Sequence, residues 1–294
     1  VKGFFNSGAG VACAQVAFKC LTLPTDHPIN DGNFRPLKVI LPKGTVVSAL
    51  HPAPMRVWMT YPMTLVDTIF KALAQAIPES VIAGHHADLV IANVNGFHPR
   101  DGKLWIYLGG LIGGGWGAKH NEDGVNVTVC MNDGDTHNGP SEQVENKFPL
   151  LVRYYRLRED SGGAGQFRGG LGAEAEVVAL SKVNYQTRID RVNHPPWGLQ
   201  GGHSAMGNRV GMRKKDGTLT LYNSGKVNMR LDAGEAYVLH SGGGGGFGDP
   251  KKRDKDAVLR DLRLGYISQE TARKVYGLKS ATSQSGRQKN KRAP

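Results

Sequence analysis

Glycine is concentrated in a few short runs of this chain, and these runs constrain the fold more than any other feature. More than half of the chain's 40 glycines fall in the stretches 109–117, 162–172, 198–202 and 242–248. Ordering a glycine costs more backbone entropy than ordering any other residue. Either the runs are flexible linkers, or their backbones pack too closely for a Cβ, as polyproline II segments can. Large apolar residues such as Trp116, Phe167 and Phe247 interrupt the runs, which favours packed backbone.

Length and charge limit the class of protein. With 294 residues, the chain is long enough for one large domain or two ordinary ones. Its formal charge of +12 lies partly in residues 279–294, a basic tail that we expect to be disordered. Such a tail is either a solvated terminus or a contact for nucleic acid or an acidic neighbour. Because basic residues are not interleaved with stacking aromatics, we expect no nucleic-acid partner.

The cysteines and the start of the chain bear on the cellular compartment in which we expect the protein. Cys13, Cys20 and Cys130 are odd in number and form no C-x-x-C pair, which argues against a disulfide framework or structural zinc. The sequence has no apolar stretch of about 18 residues and no export signal, so we expect a soluble cytoplasmic protein that does not enter membranes. Val1 is not a start methionine, which leaves open that the chain is cut from a longer one.

Hydrophobic spacing predicts a small number of helices near the two ends of the chain. They are expected over residues 11–21, 64–77, 254–264 and 269–276. In the second helix, Thr64 is the expected N-cap, Asp67 lies near the positive end, and Pro78 ends the helix. In the last helix, Ser268 is the expected cap and Gly277 the left-handed exit.

Between these helices, apolar and polar residues alternate in short runs typical of strands. The runs are 104–108, 125–131, 150–157, 174–180, 208–213, 218–222, 226–231 and 236–240, separated by D-G, N-G and G-G turn signals. Helices do not alternate with these strands, which disfavours a doubly wound parallel sheet. We predict an α+β fold that is mainly β, with antiparallel sheets in a barrel-like arrangement, glycine-rich polyproline-II-like segments and a few flanking helices.

Several common catalytic motifs are absent from the sequence. It contains no G-x-x-x-x-G-K-[ST] phosphate loop, no G-x-S-x-G elbow and no H-E-x-x-H zinc motif. The glycines at 163, 165 and 169 have the wrong spacing for a dinucleotide fingerprint and lie between strands. The sequence therefore offers no recognisable nucleotide site.

The string GHHAD at 84–88 contains three side chains of the types that bind metal ions. Two imidazoles and a carboxylate this close could contribute to a divalent metal site. In a strand, however, only His86 and Asp88 would share a face, whereas His85 would point the other way. A polar strand entry is therefore the favoured interpretation of these residues.

The second such string is NDGDTHNGPSEQVE at 132–145. Here His137 is the nearby group that titrates close to neutrality, and it could act as a general base. Asp133 and Asp135 precede it, and Glu142 and Glu145 would share one helix face. We take His137, Asp133, Glu142 and Glu145 as catalytic candidates, against the alternative that they form caps and interface ion pairs.

Three further residues are candidates for substrate contact. Arg168 lies inside a glycine run, where its guanidinium could clamp a carboxylate or phosphate. It could equally form a structural bridge with Glu159 or Asp160. Trp197 is interpreted as a core or interface anchor, with substrate stacking as the alternative. His120 is the third candidate for substrate contact.

Several of these strings, taken in order, resemble the hydantoinase B/oxoprolinase family. The most specific is DSGGAGQFRGGLG at 160–172. The others are NDGNFRP at 30–36, Val66-Asp67, GGWGA at 114–118, Asp123-Gly124, NGPSEQVE at 138–145, PPWGLQGG at 195–202, Gly225-Lys226 and GGGGGFGDP at 242–250. The resemblance covers about residues 3–277, so we expect residues 1–278 to form the C-terminal portion of a B-type subunit.

The resemblance implies a partner and a chemistry. Members of this family work with a hydantoinase A-like subunit, which binds and hydrolyses ATP. They open lactam or hydantoin rings, as 5-oxoprolinases do, or carboxylate ketones such as acetone and acetophenone. The shared logic is phosphorylation of a carbonyl oxygen or of bicarbonate, followed by attack in the B-type subunit.

The resemblance also implies what this chain lacks. The family's subunit is about twice as long, and its first half resembles the source of a divalent-metal site. We therefore expect the metal and a further partner, the N-terminal half, to lie outside these residues. Three functions stay open at this point: ATP-dependent cyclic-amide hydrolysis, ketone carboxylation, and a non-catalytic assembly module.

Overall fold

The structure is a computed structural model that describes residues 7–23, 26–53, 60–109, 112–129 and 139–278. The helices are α1 (Ser7–Thr22), α2 (Thr60–Leu73), α3 (Ser141–Lys147), α4 (Lys255–Arg263) and α5 (Gln269–Lys274). The strands are β1 (Ala92–Phe97), β2 (Leu104–Gly109), β3 (Leu150–Leu157), β4 (Ala173–Ala179), β5 (Val183–Arg188), β6 (Arg209–Arg213), β7 (Leu219–Tyr222), β8 (Lys226–Leu231) and β9 (Ala236–His240). The tail at 279–294 lies outside the described residues.

The strands form two antiparallel sheets, ordered β2-β1-β5-β8 and β3-β4-β9-β6-β7. The predicted mixture of antiparallel sheets and few helices is confirmed. The described strands do not close into one barrel. Instead, the inner faces of the two sheets share one core, in which Tyr185 of β5 stacks on Tyr237 of β9 with ring centroids 4.9 Å apart. The arrangement is that of a sandwich.

Seven of the predicted strands are confirmed within one or two residues, but β1 and β5 were not predicted. Strand β1 carries Asn95-Gly96, a pair typical of turns. Here Gly96 lies in mid-strand, where a Cβ would stand 2.8 Å from the carbonyl oxygen of Lys182. The strand predicted over 125–131 was wrong within its described part, 125–129. Only Thr128 bridges to Gly114, and Val127 has a positive φ of 45°.

Four of the five described helices pack outside the sandwich in two groups, α1 with α2 and α4 with α5. Helices α1 and α2 pack around Cys13, Val66 and Phe70, as the apolar spacing predicts. Helix α2 begins at Thr60, so Thr64 is an interior residue and the predicted N-cap was wrong. The helix also ends at Leu73, before Pro78. No helix among the described residues has both the length and the apolar character needed to cross a bilayer.

The C-terminal helices follow the predicted capping. Ser268 accepts a hydrogen bond from the backbone of Thr271 and so caps α5, while Asp254 caps α4 in the same way. Gly277 has a φ of +71°, as expected for a left-handed exit. Both helices contribute to a small apolar cluster that includes Ala164 from a glycine run.

The glycine runs pack against one another. We call the segments 83–88, 112–118, 161–172, 196–207 and 241–248 the glycine bundle. Backbone hydrogen bonds cross-link them: Gly170 donates to Trp116, and Gly244 donates to Gly170, at 2.8 and 2.9 Å. A Cβ on Gly115 would stand 1.9 Å from the carbonyl oxygen of Gly170. The interpretation of these runs as packed backbone is therefore confirmed.

Candidate functional site

One candidate site is a cavity of about 330 Å³ between the two sheets, covered by helix α3. Strand β2 contributes one wall, and strands β3, β4 and β9 contribute the other. The lining residues are Tyr107, Ile112, Gly139, Pro140, Ser141, Val144, Val152, Tyr155, Ala175, Val177, Tyr237 and Leu239. Its volume falls in the range typical of small-ligand pockets. We call it the inter-sheet pocket.

A β-bulge shapes the wall that β3 contributes. The register between β3 and β4 shifts between Val152 and Tyr154. After the shift, Tyr155 pairs with Ala175, so Tyr155 and Val152 both line the pocket although they are three residues apart. In a regular strand, residues three apart would face opposite ways. The bulge therefore turns the Tyr155 side chain toward the pocket.

Helix α3 is held over the pocket by aromatic packing and by a hydrogen bond from β3. Phe148, at the end of the helix, packs against Trp105 and Tyr107 of β2, with ring centroids 5.4 and 4.9 Å apart. Glu145 accepts a hydrogen bond from the backbone N–H of Val152, with 2.9 Å between the heavy atoms. These contacts tie the helix to strands that form the walls, which fixes the position of Pro140 and Ser141 at the pocket.

No charged side chain lines this pocket among the residues that the structure describes. The polar atoms of its lining side chains belong to Ser141 and to three tyrosines, Tyr107, Tyr155 and Tyr237. Burial raises the pKa of Tyr237 well above its usual value, so its phenol stays neutral. The site is therefore suited to a small, largely apolar molecule that exchanges a few neutral hydrogen bonds.

The catalytic candidates are only partly covered by the structure. Asp133, Asp135 and His137 lie outside the described residues. Glu142 is exposed on α3, and Glu145 is the residue that bonds to β3.

The residues that line the pocket walls were not among the candidates chosen from the sequence. Alternation along β2, β3 and β9 marked their tyrosines as strand residues, but only the sheet pairing and the bulge reveal which of them meet.

Arg168 forms a structural bridge, but with a different partner from those predicted. The side chain is 3% exposed. Its Nε donates to the Asp261 carboxylate at 3.3 Å, and its Nη1 donates to the carbonyl oxygen of Gly169 at 2.5 Å. The interpretation that Arg168 bridges to Glu159 or Asp160 was therefore wrong. Asp261 lies in α4, far along the sequence, and the pair joins that helix to the glycine bundle.

The other two substrate candidates lie apart from the pocket lining. Trp197 packs with the α1–α2 cluster, and its indole Nε1 donates to the Asp67 carboxylate at 3.0 Å. These contacts are those of a core anchor. His120 is exposed in a bend. Their proposed roles in substrate binding rest on the sequence alone.

The string at 84–88 is buried and irregular, so its interpretation as a polar strand entry was wrong. Asn208 organises it. The Nε2 of His86 lies 2.8 Å from Asn208 Oδ1, and Asn208 Nδ2 donates to Asp88 at 2.9 Å. Asn208 Oδ1 also accepts from Gly242, which ties the string to the glycine bundle. Across the described ranges, no three His, Cys, Asp or Glu side chains are grouped so as to hold a metal ion.

The buried imidazole of His86 makes stability sensitive to mild acid. Burial, aided by the nearby Arg191 charge, lowers the pKa of His86 to about 3 despite its hydrogen bond to Asn208. The unfolded chain binds this proton near pH 6.5 and the folded chain does not, so the stabilisation is complete above pH 6.5 and lost as the pH falls. We expect the free energy of unfolding to fall by up to about 1.4 kcal/mol per pH unit in this window.

Urea unfolding at pH 7, 6 and 5 measures this dependence. The dependence of the free energy of unfolding on pH should be weaker in His86→Gln than in the parent. It should be unchanged in His194→Gln, because His194 is exposed. Equal slopes in the two variants would show that His86 is not the group responsible.

Comparison with known proteins identifies the family to which this fold belongs. The profile of the Hydantoinase B/oxoprolinase family matches residues 1–250. The chain is 30% identical to the B-type component of a D-/L-hydantoinase from Pseudomonas sp. (strain NS671) over 258 residues, covering 87% of this chain and 43% of that protein. It is 33% identical to the beta subunit of caprolactamase from Pseudomonas jessenii over 291 residues, covering 95% of this chain and 49% of that protein.

A more distant relative and a solved structure agree with this match. The alpha subunit of acetone carboxylase from Xanthobacter autotrophicus (strain ATCC BAA-1158 / Py2) is 25% identical, over 93% of this chain and 40% of that protein. The crystal structure of the ATP-dependent caprolactamase from Pseudomonas jessenii superposes with a TM-score of 0.82 at 28% identity, covering 94% of this chain and 49% of that chain. The chain thus spans a little under half the length of these relatives, and it belongs to the Hydantoinase B/oxoprolinase family.

Proposed function

We propose that this chain is the C-terminal portion of a B-type subunit of an ATP-dependent cyclic-amide hydrolase. In this proposal ATP is bound by a hydantoinase A-like partner, and residues 279–294 form a basic tail without a catalytic role. The observation that carries the proposal is the 33% identity to a caprolactamase subunit over 95% of this chain. The uncharged inter-sheet pocket supports it, because a lactam or hydantoin ring is small and needs few hydrogen bonds.

The chemistry follows from the stability of amides. Transfer of the ATP γ-phosphoryl group to the amide oxygen releases ADP and makes the ring carbon more electrophilic. A first water attacks this carbon, the nitrogen takes up a proton, and the C–N bond breaks, which opens the ring and leaves an acyl phosphate. A second water hydrolyses the acyl phosphate to a carboxylate and phosphate. Proton removal from the attacking water needs a base that titrates near neutrality, and we assign this role to His137, with Asp133 orienting it.

We assign the remaining candidates to supporting roles. Glu145 holds α3 against β3 through its bond to Val152, so it positions the helix over the pocket. Glu142 faces solvent and is open to a partner protein. We place the divalent metal in the remaining half of the assembled subunit, as the family resemblance implies.

Ketone carboxylation is the second candidate function, favoured by the acetone carboxylase match at 25% identity. Carboxylation requires bicarbonate or its phosphorylated form, both of which are anions. Anions of this kind are usually held by Arg, Lys or a metal ion. Among the described residues, the pocket lining offers no such cation, which favours ring hydrolysis.

The test is turnover by the assembled complex, which consists of this chain, the other half of the B-type subunit, an A-type partner and a divalent metal. We expect ATP hydrolysis that depends on a cyclic amide, and His137→Ala should lower its rate at least tenfold, as is usual when a general base is lost. The control His194→Ala should retain the rate, and both variants should keep the parent melting temperature.

Other outcomes favour the alternatives. Turnover that requires a ketone and bicarbonate would favour carboxylation, and a tight complex without any turnover would favour an assembly module. A normal rate for His137→Ala would remove His137 from the site.

A further inference from the structure

We propose that the inter-sheet pocket selects electrically neutral cyclic amides and rejects rings that carry a carboxylate. The inference rests on the proposed function and narrows its substrate class. It would separate this protein from enzymes that act on 5-oxoproline, whose five-membered lactam carries a carboxylate beside the nitrogen. The selectivity depends on the charges around the pocket.

The first step concerns strand β4, whose two faces differ in charge. Ala175 and Val177 line the pocket, whereas Glu174 and Glu176 alternate with them and lie on the opposite face. The nearby arginines follow the glutamates. Arg156 donates to Glu174 at 2.6 Å, and the arginines at 153 and 213 pair with Glu176. These three arginines are thus bound to carboxylates on the side away from the pocket.

The second step concerns helix α3, where an anion could otherwise use backbone N–H groups. The first turn of α3 already contains the negative charge of Glu142. A carboxylate near this end would therefore meet a like charge. Lys147 is the basic residue of α3, and it lies in the last turn, at the other end of the helix from Pro140 and Ser141. The end of α3 that lines the pocket therefore supplies no lysine or arginine for a substrate carboxylate.

The third step concerns the energetics of a charged ring in this pocket. A carboxylate that leaves water without a cationic or multiple hydrogen-bonding partner loses most of its favourable solvation. A neutral ring of the same shape has no such loss and gains from burying its methylene groups against Ile112, Val144 and Leu239. The preference for neutral rings should therefore be large.

Two substrates that differ only in the carboxylate test the inference. These are 2-pyrrolidinone and 5-oxoproline, compared by kcat/KM in the assembled complex with ATP. We expect at least a hundredfold preference for 2-pyrrolidinone. Equal rates, or a preference for 5-oxoproline, would overturn the inference while leaving cyclic-amide hydrolysis intact.

A variant pair adds a test of the location. Tyr155 is 44% exposed at the pocket, so Tyr155→Arg should fold and place a guanidinium beside the ring. Leu157 is 37% exposed and lies two residues along the same strand without lining the pocket, so Leu157→Arg is the matched control. We expect Tyr155→Arg to lower the ratio of kcat/KM for 2-pyrrolidinone to kcat/KM for 5-oxoproline at least tenfold. Leu157→Arg should leave this ratio unchanged. An unchanged ratio in Tyr155→Arg would show that the ring binds elsewhere.

Binding without turnover separates the two proposals. If no ring is opened, calorimetry of the two molecules with the assembled complex gives the same comparison. Binding of 2-pyrrolidinone alone would then support the selectivity and contradict the hydrolase function. Binding of neither molecule would contradict both.

Discussion

Replacing Gly170 with valine is expected to leave no folded protein. A Cβ at this position would stand 1.9 Å from the carbonyl oxygen of Val125 and 2.9 Å from the backbone nitrogen of Trp116. Both neighbours are backbone atoms, so no rotamer change relieves the overlap. Separating the segments would break the hydrogen bonds that Gly170 makes on both sides. We expect a loss of more than about 4 kcal/mol, which is a large part of the stability of an ordinary domain. Circular dichroism shows whether the variant folds, and urea unfolding measures the lost stability of any folded fraction.

Alanine substitutions provide the matched comparison. Gly170→Ala adds a single methyl group to the bundle, and it should still lower the unfolding free energy by several kcal/mol. Gly265→Ala adds the same group at a φ of +68° with nothing within 4 Å, so it should cost only about 1–2 kcal/mol of backbone strain. Equal melting temperatures for the two variants would mean that the bundle is not packed as described.

This result depends on a feature that the sequence reveals only in part. Glycine runs interrupted by Trp116 and Phe247 predicted that main chains pack together, and they do. Which runs meet could not be predicted. Contacts between backbones carry no complementary side-chain pattern. The sequence around Gly115 therefore does not predict that Gly115 packs against Gly170 and Gly244.

Strands and the pocket show the same division between local and long-range information. Alternation along the chain predicted β3 and β9 closely, because a half-buried strand has a period of two. It missed β1, where Asn95-Gly96 imitates a turn. It could not predict that a bulge in β3 turns Tyr155 toward Tyr107 on the other sheet, because a bulge depends on pairing between strands.

Buried ion pairs were also beyond the sequence. Arg168 was expected to pair with an acidic neighbour a few residues away, and its partner is Asp261. Asp67 was placed at a helix end by its position after Thr64. In the structure it lies inside α2, because the helix starts one turn earlier. There it joins α2 to two segments that are distant in the sequence.

Asp67→Ala should destabilise the protein by about 3–5 kcal/mol, the usual cost of breaking a buried ion pair. The carboxylate is 2% exposed and accepts hydrogen bonds from the Arg191 guanidinium, the Trp197 indole and the backbone N–H of His85. Removing it leaves the Arg191 charge, itself largely buried, without its partner. Urea unfolding at pH 7 gives the magnitude. Asp26→Ala is the control, because Asp26 is exposed and surface changes of this kind cost less than about 0.5 kcal/mol.

The same carboxylate should make the folded state sensitive to strong acid. Burial alone would raise its pKa, but the His85 imidazole, whose Nδ1 lies 3.6 Å from Asp67 Oδ1, and the Arg191 charge hold the pKa of Asp67 well below its usual value. Its stabilisation is therefore complete above the unfolded pKa of about 3.9 and is lost as the pH falls below that value. The difference in unfolding free energy between the parent and Asp67→Ala should thus shrink between pH 5 and pH 3, whereas Asp26→Ala should track the parent throughout. A constant difference across this range would show that the network tolerates a protonated Asp67, and that packing of Trp197 against α1 and α2 is what holds these elements together.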